Sequence, residues 1–251
     1  MEASASIIKY VKSLSQKKNR YTEGCFVAEG DKCVADTMPH FSCRTLIATS
    51  QWLESHNHPS GVTVVQATAR QMQRMSQFTT ASQVIAIYEI PRHAVADTDI
   101  AQNLNVVLDN VQDPGNLGTI IRAACWFGVN DIFCSPTTAD AYSHKVIQAT
   151  MGAISRVRVH YCNLAELLGR FGQTPIFGTF LTGESIYEAD LTSTGFVLFG
   201  NEGKGISAEL SQMVNRRLFI PPYPANAQSC ESLNVGMAAS ITLSEFRRRA
   251  V

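Results

Sequence analysis

The 251-residue sequence lacks any long hydrophobic run. Its longest apolar stretches, such as 84–87 and 196–199, are far shorter than the roughly 20 residues of a membrane-spanning helix. The amino-terminal segment MEASASIIKYVKS also lacks the apolar centre of a signal peptide. We therefore expect no membrane partner and a cytoplasmic location.

The chain also lacks a C-x-x-C pair. Its seven cysteines are an odd number, which disfavours a disulfide framework, and their spacing disfavours a zinc site. Reduced, mostly buried thiols and the absence of a bound metal are the resulting expectations. The cysteines lie at positions 25, 33, 43, 125, 134, 162 and 230.

Net charge is absent as well, because 21 Lys and Arg balance 21 Asp and Glu. Nucleic-acid-binding surfaces usually carry an excess of cations, so any such surface here must be local. One local excess lies in the first twenty residues, as a solvated helix face or as a nucleic-acid contact. Its members are Lys9, Lys12, Lys17, Lys18 and Arg20. A second run, 247–249, suits a cationic helix end.

Apolar runs and helical patterns alternate along the chain, which is typical of an α/β protein. The first part contains four predicted strands, at 26–29, 45–49, 62–66 and 84–88. Its helical patterns lie near 5–15, 30–38, 50–55 and 69–75. We predict a small α/β domain at 1–92, followed by a linker at 93–103 that mixes aspartates and alanines without clear periodicity.

The second part, 104–251, contains continuous apolar runs that are typical of buried strands. They lie at 104–108, 131–134, 175–179, 196–199 and 218–220. Helical patterns separate them, near 118–128, 143–150, 163–171 and 207–214, and a closing helix is predicted at 229–249. This alternation predicts a parallel sheet with helices on both faces.

Three polar segments follow predicted strands of the second domain. They are DNVQDPGNLGTIIRAA (109–124), GNEGKGIS (200–207) and IPPYPANAQSCESLNVGMAASI (220–241). Because open α/β sheets bind ligands at the carboxyl ends of their strands, we expect one composite site.

Within the first segment, Asn116 suits a helix cap, and Arg122 is a charge in an otherwise apolar helical stretch. Such an arginine forms either a structural salt bridge or a bidentate phosphate contact.

The glycine loop of the second segment lacks the Gly-Lys-Ser/Thr ending of a triphosphate-binding loop. Its glycines instead permit main-chain groups to approach a planar ligand closely. In the third segment, Ser232 suits the cap of the closing helix.

Together the three segments resemble the motifs of the SpoU (TrmH-like) family of RNA 2′-O-ribose methyltransferases, in the SPOUT superfamily. Residues 1–90 resemble, more loosely, the substrate-binding domain that precedes the catalytic domain in many relatives. The resemblance implies a carboxy-terminal trefoil knot, a homodimer and S-adenosylmethionine as cofactor. The implied substrate is a ribose in structured RNA, with ribosomal RNA favoured over transfer RNA. A transfer RNA enzyme, a catalytically silent RNA-binding protein and an unrelated nucleotide-binding regulator are the alternatives.

The resemblance also assigns residues. It implies catalytic or orienting roles for Arg122, Asn116, Glu202, Ser232 and Asn234, and cofactor contacts at Gly200, Ile220 and Leu233. We expect Thr179, Phe180 and Leu181, at another strand end, to join the cofactor pocket. In relatives a hydroxyl residue commonly follows the arginine, where this chain has Ala123. The arginine is either the base that removes the 2′-hydroxyl proton or a group that stabilises the developing alkoxide. The amino-terminal cations become candidate RNA contacts.

Overall fold

The computed structural model describes residues 2–58, 60–94, 97–224 and 231–248. Its helices are α1 (Ala5–Ser13), α2 (Lys17–Glu23), α3 (Asp31–Thr37), α4 (Ser50–Ser55), α5 (Ala69–Met75), α6 (Asp97–Gln102), α7 (Pro114–Trp126), α8 (His144–Thr150), α9 (Leu164–Arg170), α10 (Ala208–Met213) and α11 (Val235–Arg248). The strands are β1 (Cys25–Glu29), β2 (Cys43–Ala48), β3 (Thr63–Gln66), β4 (Val84–Glu89), β5 (Leu104–Leu108), β6 (Asp131–Cys134), β7 (Arg158–Tyr161), β8 (Ile176–Phe180), β9 (Glu184–Ser185), β10 (Gly195–Phe199) and β11 (Arg216–Phe219).

The chain forms two compact units. The first comprises Met1–Arg92 together with Asp140–Ser155, and the second comprises His93–Ala139 and Arg156–Val251. The first unit is therefore discontinuous in sequence, since it includes α8 and the short 3₁₀ helix Ala153–Ser155. The boundaries that we predicted, with domains at 1–92 and 104–251 and a linker at 93–103, describe parts of the chain that fold independently. They stay predictions.

The sheet of the first unit has four strands in the order β1-β4-β2-β3. Strands β1 and β2 are antiparallel to β4, and β3 is parallel to β2. The four predicted strands are confirmed to within two residues at each end. Helix α2 was not predicted, because Lys17–Glu23 contains six polar or charged residues among its seven and shows no apolar stripe.

Arg20 in α2 corrects one prediction. Its side chain is buried, its Nε donates to Asp140 Oδ2 at 3.0 Å, and its Nη1 donates to the carbonyl oxygens of Leu14 and Ser15 at 2.8 Å. Because these donors are used inside the first unit, the prediction that Arg20 binds RNA is wrong. The other four cations of the cluster are exposed; they are Lys9, Lys12, Lys17 and Lys18.

The sheet of the second unit has seven strands in the order β7-β6-β5-β10-β8-β11-β9, and all its pairings are parallel. Every residue of β5 and β10 is buried, as expected for central strands covered on both faces. On one face, α9 and α10 pack on the core that includes Phe196 and Leu198. On the other face, Phe246 of α11 meets Phe177 of β8, with ring centroids 4.9 Å apart. The predicted parallel α/β sheet is confirmed.

The topology places the polar segments at one edge of this sheet. Chain order reverses between the neighbouring strands β5 and β10, and the segments following β5, β10, β8 and β11 leave the carboxyl ends of parallel strands. Such a switch point is the usual ligand site of an open α/β sheet. The trefoil knot stays a prediction.

The absences expected from the sequence concern helices, metals and thiols. None of the helices in the described ranges combines the length and hydropathy that bilayer crossing requires. Over the same ranges, no three His, Cys, Asp or Glu side chains are grouped to hold a metal ion. Six cysteines are described and free, and Cys230 lies outside the described residues. Burial raises the pKa of Cys33 and of Cys43 to about 11, so both thiols stay protonated at neutral pH.

The buried pair of Arg20 and Asp140 should matter for stability. Removing one partner of a buried ion pair leaves an uncompensated charge, so Arg20→Ala should lower the free energy of unfolding by about 3–5 kcal/mol. Urea denaturation of the whole chain measures this change. The matched control is Arg44→Ala, because Arg44 and Glu89 form an exposed pair at 3.4 Å that should contribute about 0–1 kcal/mol. Equal effects of the two substitutions would contradict the prediction.

Candidate active site

Helix α7 begins in a way that leaves the side chain of Asn116 free. Asp113 is the N-cap, its Oδ1 accepts the main-chain N–H of Asn116 at 2.8 Å, and Pro114 occupies the first turn. The cap of this helix is therefore Asp113 and not Asn116, which the sequence also allowed. The carboxamide of Asn116 is available for other contacts.

Those contacts join the three polar segments. The Nδ2 of Asn116 donates to Glu202 Oε1 at 2.7 Å, and the Nδ2 of Asn234 donates to Asn116 Oδ1 at 2.8 Å. The bonded residues are separated by 86 and 118 positions in sequence. Three of the five predicted catalytic residues thus form one hydrogen-bonded chain, which we call the amide chain.

The direction of the amide chain is set by helix α11. The Oδ1 of Asn234 accepts the N–H groups of Gly236 at 2.9 Å and of Met237 at 3.3 Å, so Asn234 is the N-cap. Since its oxygen is committed to the helix, its Nδ2 must point to Asn116, whose own Nδ2 must then point to Glu202.

This arrangement corrects two predictions about the closing helix. The helix begins at Val235 and not at 229, and Ser232 lies exposed before it and is not its cap. Positions 229, 230 and 249 of the predicted helix lie outside the described residues. Ser232 lines the cavity described below.

The glycine loop after β10 is closed on itself by Asn201. Its main-chain N–H and C=O pair with those of Gly205 at 3.0 and 2.8 Å, and its Oδ1 accepts the N–H groups of Gly203 and Lys204 at 3.0 Å each. Its Nδ2 donates to the carbonyl of Asn110 at 2.9 Å. Sequence reasoning missed Asn201, although an Asn at a strand end before glycines is a recognisable turn signal.

Asp109 at the end of β5 is a second residue that sequence reasoning missed. Its Oδ2 accepts the main-chain N–H of Ser207 at 2.7 Å, and Ser207 is the N-cap residue of α10 without a side-chain hydrogen bond of its own. A carboxylate from one strand thus holds the helix that follows the next strand in the sheet. Asp109 is largely buried, so this bond fixes the end of the glycine loop where it meets α10.

Arg122 lies on the exposed face of α7. Within the described ranges it makes no hydrogen bond or ion pair, and Glu202 is bonded instead to Asn116. Of the two roles that the sequence allows for this arginine, the structural salt bridge is therefore not formed within those ranges, and the side chain is exposed to solvent. An exposed arginine has all its donors available for a ligand.

One cavity of about 1010 Å³ lies at the carboxyl edge of the sheet. Ligand pockets typically measure about 300–1,000 Å³, so it can hold a nucleoside-sized molecule. Its lining includes all six predicted cofactor residues, namely Thr179, Phe180, Leu181, Gly200, Ile220 and Leu233. Glu202 of the amide chain and Ser232 line it as well.

The lining is mixed in character. Leu181 and Leu233 expose 67% and 42% of their surface and can cover an apolar ring. The hydroxyl of Thr179 donates to the carbonyl of Leu198 at 3.0 Å, so it joins two strands of the cavity wall and is not free to bind a ligand. Sequence reasoning missed Ile186 and Tyr187, which also line the cavity and follow β9. Strand β9 has only two residues and gave no sequence signal.

The fold and the site define an α/β protein with a ligand-sized cavity and a hydrogen-bonded chain of polar side chains beside it. Comparison with known proteins gives the family. The sequence model of the SpoU rRNA Methylase family matches residues 103–244, and that of the MRM3-like substrate binding domain matches residues 5–86. The chain belongs to the SpoU rRNA methylase family.

Similar proteins span nearly the whole chain. The 23S rRNA (guanosine(2553)-2′-O)-methyltransferase RlmP of Bacillus subtilis is 28% identical over 245 residues, covering 96% of this chain and 95% of its own. A TrmH-family structure from Porphyromonas gingivalis is 38% identical with a TM-score of 0.90, covering 99% and 100% of the two chains. The AdoMet-bound rRNA methyltransferase of Sinorhizobium meliloti is 28% identical with a TM-score of 0.86, covering 100% and 98%.

Two glycines of the same loop should respond differently to an added methyl group. A Cβ at Gly200 would lie 2.5 Å from the carbonyl oxygen of Gly205 and closer to its carbonyl carbon, whereas a Cβ at Gly203 would lie 3.7 Å from Asn201 Oδ1. Gly200→Ala should therefore open the loop and speed hydrogen exchange at the amides of Asn201 and Gly205. Gly203→Ala is the matched control and should keep their protection. Retained protection in Gly200→Ala would show that the loop accommodates a side chain.

Proposed function

We propose that this protein transfers the methyl group of S-adenosylmethionine to the 2′-hydroxyl of a ribose in ribosomal RNA. Membership of the SpoU family and similarity to RlmP over nearly the whole chain support the reaction and the substrate class. The observation that carries the proposal is the amide chain, in which Asn234 donates to Asn116 and Asn116 donates to Glu202, a residue that lines the cavity. A transfer RNA substrate is the alternative. We retain a cytoplasmic location as a prediction.

The cavity residues fit S-adenosylmethionine. Apolar side chains such as Leu181 and Leu233 can cover the adenine, and the loop that starts at Gly200 brings main chain to the wall. When bound, S-adenosylmethionine supplies a methyl group on a positively charged sulfonium. The self-closed glycine loop presents a preformed wall, which reduces the entropy lost on binding.

We assign Arg122 to the RNA and not to proton removal. A guanidinium stays protonated in proteins and is a poor base, but its planar fork binds phosphate through two hydrogen bonds. It lies six residues after Asn116 on α7, so about 9 Å of helix rise separates the two. An arginine at this distance can hold a phosphate next to the reacting ribose and stabilise the developing alkoxide.

The amide chain positions the ribose. Its hydrogen bonds leave little rotational freedom to Asn116 or Glu202, so an incoming hydroxyl meets groups with fixed orientation. Ser232 adds an exposed hydroxyl from the same segment as Asn234. Alignment of this kind can account for a large part of the rate of a group transfer.

The remaining surface features support RNA binding and a homodimer. The exposed lysines of α1 and α2, Lys9, Lys12, Lys17 and Lys18, suit contacts with RNA phosphates. We also propose that two copies pair through the face formed by α7 and α11. Trp126 at the end of α7 and Met237 near the start of α11 expose 84% and 57% of their surface, apolar area that a second copy would cover.

Methylation mapping tests the proposed function. The protein should bind S-adenosylmethionine in calorimetry without competition from ATP. It should also methylate ribosomal RNA from a strain that lacks its gene, producing one new stop in primer extension at low nucleotide concentration. Binding without methylation would favour the catalytically silent alternative. Methylation of transfer RNA alone would identify the alternative substrate.

Substitution of Arg122 tests its role. Because the side chain is exposed, Arg122→Ala should leave thermal unfolding and cofactor affinity unchanged while lowering single-turnover methylation about a hundredfold or more. Arg122→Lys keeps the charge and loses the planar fork, so substantial rescue indicates charge stabilisation and poor rescue indicates bidentate geometry.

The matched control is Arg158→Ala. Arg158 binds Asp131 at 2.7 and 2.6 Å, and each residue begins its strand at the opposite, amino-terminal end of the sheet. This variant should lose stability and keep the single-turnover rate of its folded fraction. If Arg122→Ala behaved in the same way, Arg122 would be structural.

A further inference from the structure

Helix α2 presents an aromatic ring and a cation on one face. Lys17 and Tyr21 are four residues apart, so they lie next to each other on the helix surface. The Nζ of Lys17 lies 5.9 Å from the centroid of the Tyr21 ring, and Tyr21 exposes 46% of its surface. Arg20, between them in sequence, points inward instead. The helix thus buries a cation and exposes an aromatic ring.

The Tyr21 ring is held at its edge by a buried network. Its hydroxyl donates to Asp140 Oδ1 at 3.1 Å, and Asp140 is buried, paired with Arg20 and bonded to the main-chain N–H of Tyr142 at 3.0 Å. Burial and the negative charge of Asp140 raise the pKa of Tyr21, so the hydroxyl keeps its proton and remains a donor. An exposed ring with a fixed edge loses little entropy when a planar group packs on its face.

We propose that Tyr21 is a platform on which an unpaired base of the substrate RNA stacks, with Lys17 and Lys18 beside the adjacent phosphates. The proposal rests on the proposed function in taking RNA as the partner. Single-stranded nucleic acid is bound by aromatic faces next to cations, because every base has a π-face and every nucleotide a phosphate. An apolar protein partner fits less well, since both lysines lie within one helical turn of Tyr21 in sequence, three and four residues before it, and are exposed.

Binding of two RNA probes to the full chain tests the platform. The probes are a fluorescein-labelled 12-nucleotide oligoadenylate and a 12-base-pair RNA duplex, followed by anisotropy. Tyr21→Leu should weaken oligoadenylate binding about 5- to 150-fold, the range for one stacked base, and leave duplex binding unchanged. Tyr21→Phe keeps the ring and loses only the hydroxyl that fixes its edge, so it should weaken oligoadenylate binding much less than Tyr21→Leu does and leave duplex binding unchanged.

Salt dependence separates stacking from charge. Lys17→Gln should reduce the slope of log affinity against log salt by about 0.7 for the single strand, the value for one phosphate contact. Tyr21→Leu should leave that slope unchanged, because stacking releases no counterions. As an independent readout, an oligonucleotide carrying 5-iodouridine should crosslink to Tyr21, mapped by mass spectrometry of the digest.

Three outcomes would overturn the platform. Parental oligoadenylate affinity in Tyr21→Leu would show that the ring is not contacted. Equal weakening in Tyr21→Phe and Tyr21→Leu would assign the effect to the hydroxyl and Asp140, and equal weakening toward the duplex would exclude an unpaired base. Calorimetric affinity for S-adenosylmethionine should stay parental in every variant. Any of these three results, with methylation of ribosomal RNA intact, would reject the platform and leave the proposed function standing.

Discussion

The carboxamide of Asn234 fixes the orientation of the polar residues at the cavity rim. Its oxygen is held by the first N–H groups of α11, so its nitrogen must donate, and the direction passes through Asn116 to Glu202. Hydrogen bonds in such a series polarise one another and resist rotation of any one member. The positions of three distant loops therefore depend on where one helix begins. A shift in the start of α11 would reorient the whole rim.

The architecture was predictable because buried parallel strands are continuous apolar runs, and β5, β6 and β10 stand within one residue of their predicted places. Helix caps were harder. Asp113 and Asn116, three residues apart, are both good caps, and so are Ser232 and Asn234, two residues apart in the last segment. Propensity does not choose within such pairs. The choice comes from tertiary contacts, because the amide of Asn116 is needed across the sheet by Glu202.

Two other features were beyond sequence reasoning for a different physical reason. A run of cations in a sequence does not show which of them faces inward. Asp140, the ion-pair partner of the buried Arg20, lies 120 residues away in sequence. Gly200 and Gly203 are the same residue type in one loop, yet of the two only Gly200 has main-chain atoms packed where a side chain would lie. Both distinctions depend on long-range packing, which periodicity does not encode.

The discontinuity of the first unit has a consequence for how the chain is made. Gln148 donates to the carbonyl of Glu29 at 2.9 Å, and the rings of Tyr142 and Phe26 lie 5.0 Å apart, so 140–155 completes the packing of the early strands. On a ribosome that adds about 5–20 residues per second, Asp140 follows Arg20 by on the order of ten seconds. During that interval the nascent first unit carries an arginine destined for burial without its counter-ion. Its final consolidation must therefore await synthesis of the first strands of the second unit, which couples the maturation of the two units in time.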